Sequence, residues 1–108
     1  MEFDCWDWTA TQDTQPGPGE GRVSIDGVCG KFRTDGYKLK LEPRRGGINP
    51  QEPFFDLVVT EPTGGVPEVL SDEAVHYETE ASRDLLYTTA RIFYENEERW
   101  SVEVEQVG

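Results

Sequence analysis

One histidine and two cysteines are all that this 108-residue chain offers of the side chains most often used for metal and thiol chemistry. Cys5 and Cys29 form no C-x-x-C pair, and with His76 alone they do not supply the closely spaced N and S ligands of a zinc site. No G-x-S-x-G elbow, P-loop or dinucleotide fingerprint occurs. Neither metal nor cofactor is therefore expected, and no catalytic residue can be named. Long apolar runs are missing as well: nothing approaches the roughly 18 residues that a membrane-crossing helix needs. The amino terminus, MEFDCWDW, has neither the basic region nor the apolar core of an export signal, and no Asn-X-Ser/Thr acceptor is present. A cytoplasmic protein is the resulting expectation.

Positive charge is scarce. Three Lys and seven Arg stand against 22 acidic residues, a net charge of −12. Such a chain repels phosphate backbones and anionic bilayers, so neither nucleic acid nor membrane is an expected partner. The acidity is explained more simply by solubility or by a salty cytoplasm. The abundant carboxylates make a carboxylate-based enzyme the weakest of the functional readings, because with 22 of them chance proximity carries no weight. The acidic runs Ser71-Asp72-Glu73 and Glu95-Asn96-Glu97-Glu98 lack the alternating oxygen spacing of a calcium loop and read as solvated turns.

What the chain has is glycine, proline and aromatics: 11 Gly, 7 Pro, 3 Trp, 4 Tyr and 5 Phe. This profile predicts short strands joined by many turns in a single domain over residues 1–108. A chain of this length buries roughly two-thirds of its unfolded surface, which predicts one core and no roomy cavity beside it.

Period-two alternation places the strands. Cys5–Thr11 puts Trp6, Trp8 and Ala10 on one face, and Arg22–Gly30 puts Val23, Ile25 and Cys29 on one face. In a hairpin centred on Gly17, Cys5 lies opposite Cys29, where a disulfide is geometrically open. Without an export signal the reduced pair is the favoured expectation. Tyr37–Glu42 alternates without exception, with Lys38, Lys40 and Glu42 outward. Phe54–Thr60 is nearly all apolar and reads as a strand covered on both faces, at least in part. Val66–Leu70, carrying Pro67, reads as an edge strand. A turn at Ser71–Glu73 follows, then Ala74–Thr79 with His76 on the outer face. Over Leu85–Glu95 the apolar spacing fits a helix capped by Ser82, whereas Tyr87–Thr89 and Ile92–Tyr94 are strand-favouring types. The strict alternation of Trp100, Val102 and Val104 decides for a hairpin, pairing Tyr94 with Trp100, Ile92 with Val102 and Ala90 with Val104. The predicted fold is all-β: about seven strands in an antiparallel sandwich of immunoglobulin-like architecture, with a small β-barrel as runner-up.

Charge is distributed unevenly. Between Lys31 and Arg45, six basic residues and two acids leave a local net of +4, and the rest of the chain carries −16. Either Lys38 and Lys40 pair with outer acids such as Glu103 and Glu105, or the stripe Lys38, Lys40, Arg44 and Arg45 meets an anionic partner surface or ligand. Together with the turn at Pro62, Thr63 and Gly64, these residues form the candidate interaction surface.

The run Gly36-Tyr37, Leu41-x-Pro43, Gly47-Ile48-Asn49-Pro50 and Leu57-x-Val59-x-x-Pro62-x-Gly64 resembles a pattern in small, uncharacterised bacterial proteins. That resemblance implies a bacterial β-domain without assigned activity. Glu61-Pro62-Thr63-Gly64-Gly65 is similar to the first loop of chagasin-like inhibitors of papain-type cysteine proteases, although Glu61 replaces an Asn and one Thr is missing. The later loops of that family are not found in order. The function these observations point to is a non-enzymatic protein-interaction or binding module, meeting a protein partner or a second copy of itself through the Pro67 edge. A chagasin-like inhibitor is the alternative.

Overall fold

Alternating apolar residues pair into strands only when a neighbour supplies the ladder, and here long neighbours are available. The computed structural model describes residues 3–14, 21–34, 36–45, 47–64, 68–81 and 84–107. Seven strands follow one another in these stretches: β1 Asp4–Asp13, β2 Gly21–Thr34, β3 Lys38–Arg44, β4 Phe54–Thr60, β5 Glu68–Ala81, β6 Thr89–Tyr94 and β7 Glu97–Val107. They form one sheet in the order β3-β4-β6-β7-β1-β2-β5. The end strands β3 and β5 approach each other, so the sheet is nearly closed into a barrel. The all-β expectation holds. An entirely antiparallel arrangement does not, because β1 runs parallel to β7 and β4 parallel to β6. The hinge of the topology is β7, whose first residues pair with β6 and whose last, Val104–Val107, pair with β1. One strand shared in this way curls the sheet instead of splitting it, and near-closure leaves little open edge.

Three local expectations change. In β1 a bulge between Trp6 and Thr9 inserts one residue, and Asp7 takes the left-handed φ of 55°. The side-chain parity therefore flips along the strand: Cys5 points inward before the bulge, Ala10 and Gln12 after it, and Trp6 does not share the face of Trp8. Gly27 opposite the bulge is obligatory, since a Cβ there meets the Trp8 ring at 2.5 Å. Ser71–Glu73, expected as a turn, lies within the continuous β5. Eleven residues of β2 pair along it, among them Cys29 with Glu73 and Phe32 with Ser71, and the long ladder overrides the local turn chemistry. The β6–β7 hairpin forms as expected, but its register is tighter by two residues, with Ile92 opposite Trp100 and Ala90 opposite Val102. Glu95 and Asn96, at φ 52° and 65°, make a two-residue turn of type I′. A slip of two keeps the parity, so the apolar faces still meet.

Other expectations are met directly. β4 spans Phe54–Thr60 as read from the sequence, with Phe55 and Leu57 buried and the intervening residues half-covered. β5 stands at one end of the strand order, the edge position read for its segment. Gly17, Gly46, Gly65, Pro67 and Ser82 lie outside the described residues, as do the hairpin centre and oligomer edge assigned to them.

The barrel interior is packed unevenly. Cys5 lies opposite Cys29, as the spacing predicts, and the two are bonded, which corrects the expectation of free thiols. Phe3, Phe32, Tyr37, Tyr94 and Trp100 gather beside the bond: Phe32 stacks on Tyr37 at 4.5 Å, and Phe3 meets the edge of Tyr94 at 4.9 Å. This end of the barrel is plugged.

Candidate functional site

Pro43–Pro53 leaves β3 at the opposite end of the barrel and doubles back into β4. Its conformation is set by its own polar residues. Asn49 Oδ1 accepts from Gln51 N at 3.0 Å, Asn49 Nδ2 donates to Glu52 Oε2 at 2.8 Å, and Glu52 N donates to Asn49 O at 3.0 Å. This is the local side-chain turn expected of an Asn-Pro pair. Gly47 adopts φ 79° and lies against Phe54, where a Cβ would come within 2.9 Å of the ring. Arg91 of β6 clamps the loop through Glu52 Oε1, with Nε at 2.7 Å and Nη2 on the same oxygen, while its Nη1 holds Glu98 at 3.0 Å. The Arg91 hydrogen bond is the main reason that the Glu52 carboxyl sits below its ordinary value.

A second segment, residues 84–88, runs alongside. Gln51 Nε2 donates to Leu86 O at 3.1 Å, and Thr88 N donates to Gln51 O at 2.8 Å, tying the two loops together. The second segment is anchored from below by Gln12, which is 1% exposed and is the single buried polar residue in the core of the described residues. Its Nε2 donates to Leu85 O at 2.8 Å, and its Oε1 accepts from Tyr87 N at 2.9 Å and from Gln106 Nε2 at 3.0 Å. Gln106 Nε2 also donates to Tyr87 O at 2.8 Å. A buried amide with its partners satisfied orders what it touches; here it fixes Tyr87.

Between these loops and the barrel floor lies a cavity of about 450 Å³. Ile25, Ala90 and Val104 form part of its floor, and Phe55, Tyr77 and Tyr87 its walls. Arg45, Asn49 and Pro50 stand at its mouth. The expectation that so short a chain has no roomy cavity is thereby corrected: one end of the barrel is filled by five aromatic rings and the disulfide, which leaves the other end to be closed by backbone loops alone. The volume falls within the range of small-molecule sites.

The candidate surface read from the sequence divides in two. Lys38 pairs with Thr60 across the ladder and Arg44 with Phe54, so the ends of β3 are separated by roughly 20 Å of strand. Lys38, Pro62, Thr63 and Gly64 belong to the plugged end, where the first three, with Gly36, Thr60 and Glu61, border a depression of about 290 Å³. Arg44 and Arg45 belong to the open end. Lys40 lies between them and pairs along its own strand with Glu42 at 2.9 Å. The anticipated partners Glu103 and Glu105 are on β7, two strands away from β4, and do not meet the lysines. Arg44 is engaged by Asp56 at 2.8 Å, by Asn96 at 3.0 Å and by the Phe93 ring at 4.6 Å. Within the stripe, Lys40 and Arg44 are ion-paired, whereas its two ends, Lys38 and Arg45, have no ion pair with a described residue.

His76 is exposed on the outer face, as its alternation predicts, with Nδ1 2.6 Å from Asp26 and Nε2 3.4 Å from Glu78. The Asp26 hydrogen bond is the main cause of its raised pKa. It forms no catalytic pair with Cys29, which is buried and bonded to Cys5. Among the described residues no group of His, Cys, Asp and Glu is arranged to hold a metal ion, and no helix is long and apolar enough to cross a membrane.

Sequence reading missed Gln12, Tyr77 and Tyr87 as members of a site. One signal was present: after the bulge Gln12 falls on the core-facing parity of β1, and a polar residue there needs a partner. Ile48 was passed over too, although it is fully exposed in a loop otherwise built of Gly, Pro and polar residues. Comparison with protein-family models, with curated proteins and with solved structures finds no match.

Proposed function

We propose that this protein is a non-enzymatic binding module and that it recognises its partner at the open end of the barrel. The observation carrying this reading is the 450 Å³ cavity walled by two loops that are hydrogen-bonded to each other and to a buried glutamine. A barrel end closed only to fill space needs no such polar framework; a shaped recess needs its walls held. Exposed apolar side chains lie on the same two loops, Ile48 fully and Leu86 about half, as expected where a partner completes the surface. The immunoglobulin-like arrangement inferred from the strand count contributes one idea here, that a β framework presents recognition loops at its ends.

The protease-inhibitor reading draws on a different place. Thr63 and Gly64 are exposed, and a Cβ on Gly64 would meet nothing within 4 Å, so this turn projects freely at the plugged end. The two readings are separated by comparing variants at the two ends. Native mass spectrometry and affinity capture are run on protein equilibrated with extract of its own cells, using wild type, Ile48→Asp, and the pair Thr63→Ala with Gly64→Ala. The open-end reading expects a reproducible bound species that Ile48→Asp loses and the Thr63/Gly64 variant keeps. Loss in the Thr63/Gly64 variant alone, together with inhibition of papain by wild type, transfers the function to the opposite end. No bound species in any sample defeats both.

A further inference from the structure

Within that reading, and resting on it, the geometry points to the chemical class of the occupant: we infer that the cavity takes a small aromatic carboxylate. The walls decide the first half. Phe55, Tyr77 and Tyr87 face the space, and Phe55 and Tyr77 lie 5.1 Å apart at an interplanar angle of 60°. Tilted rings over a floor of Ile25, Ala90 and Val104 accept a flat apolar body by edge and face contacts, and they provide no ladder of donors for a sugar.

The rim decides the second half. Among the described residues three that carry charge border the mouth: Arg44, Arg45 and Glu52. Arg44 is matched by Asp56 and Glu52 by Arg91. Arg45 is exposed, adjoins the cavity and meets no carboxylate among the described residues. In a chain of net charge −12, the one uncompensated charge that the described residues place at this mouth is therefore positive. A guanidinium offers a planar pair of donors matched to a carboxylate, whereas a phosphate dianion calls for more positive charge than one arginine supplies. A cationic occupant finds no free acid among the described residues of the rim, and the −12 background only concentrates cations without orienting them.

The test uses full-length protein and three probes of nearly equal shape: 1-naphthoate, 1-naphthamide and 1-naphthylmethylammonium. Affinities come from calorimetry and positions from backbone amide shifts in NMR. The expected result is saturable binding of naphthoate, about five- to tenfold tighter than naphthamide, with shifts at residues 45–55, 77–79 and 85–90. Arg45→Gln, an exposed position that leaves the fold intact, should bring naphthoate down to the level of the amide and leave the amide unchanged. Thr79→Trp, which fills the cavity from β5, should weaken both; if it fails to fold, Arg45→Gln still carries the test. Equal affinity of the three probes overturns the assignment of an anion. Shifts confined to residues 60–64, or no saturation at millimolar probe, overturn the assignment of the cavity. In the last case a bound species from extract that Ile48→Asp abolishes leaves the open-end reading standing, so the two failures are distinguishable.

Discussion

The two ends of this barrel solve the same packing problem in opposite ways. At one end five aromatic side chains and the Cys5–Cys29 bond fill the interior. At the other, the space between Ile25, Ala90 and Val104 is left open and roofed by two loops held by hydrogen bonds. The first end derives its order from buried area and a covalent link, and the second from an amide network around Gln12 and an ion pair between Glu52 and Arg91. Local stability follows such differences: regions with few buried apolar contacts open at lower free energy than the core. On the proposed reading, the contrast separates folding from binding, with the plugged end carrying the stability and the open end the recognition.

The comparison breaks most readily at the plugged end. Phe32→Ala removes a ring that is 2% exposed and stacked on Tyr37, and should cost about 3–5 kcal/mol in urea unfolding. A loss under 1 kcal/mol, to order of magnitude, would show that this end is not the anchor. Next comes the disulfide. Cys5→Ala with Cys29→Ala opens a loop with a sequence separation of 24, for which chain entropy gives about 3 kcal/mol, or a fall in melting temperature on the order of 15 °C. Calorimetry of oxidised and reduced wild type checks the same quantity, and identical transitions would remove the bond from the account.

At the open end the effects should be smaller and local. Gln12→Leu keeps the bulk but strands Tyr87 N and Leu85 O, at about 1–3 kcal/mol. Its signature is faster amide exchange at residues 85–88 with little change around Cys29; uniform loss of protection would mean that the two ends unfold as one.

The weakest effects are electrostatic. Glu52 has a lowered pKa in the fold, so its contribution is complete above the ordinary value of 4.5 and is withdrawn as the pH falls through the lowered one. Acid should therefore quicken exchange at residues 49–52 before the plugged end responds, and Glu52→Gln should abolish that early phase. His76 has the opposite sign. Its pKa is raised above 6.5, so its contribution is complete below pH 6.5 and fades as the pH rises through the raised value. A small decline in stability as the pH rises through the raised value, removed by His76→Gln, is the expected outcome, and an unchanged decline in that variant would assign it to another group.

Much of the framework was legible because period-two patterning is a local property. Phe54–Thr60 carries its own boundaries between Pro53 and Glu61-Pro62. Cys5 and Cys29 are equidistant from Gly17, so their pairing follows from counting. His76 faces outward because Val75 and Tyr77 face inward. What escaped is what depends on a partner strand. Asp7 carries no mark of the bulge that turns Trp6 away from Trp8; that bulge is set by the Trp8 ring lying over Gly27. Ser71-Asp72-Glu73 has the composition of a turn and is straightened by β2. Lys38 and Arg45 look like one stripe in the sequence and stand at opposite ends once β3 is extended.

The amino-acid sequence by itself determined the strands, most of their faces, the cysteine register and the crowding of positive charge between Lys31 and Arg45. Alternation and turn chemistry act over a few residues, and those features need nothing more. Only the tertiary structure decided the strand order, the two parallel pairings, the near-closure of the sheet and the cavity. The reason is physical: the cavity is bounded by residues from Val23 to Val104, and a space between distant segments has no signature in any one of them.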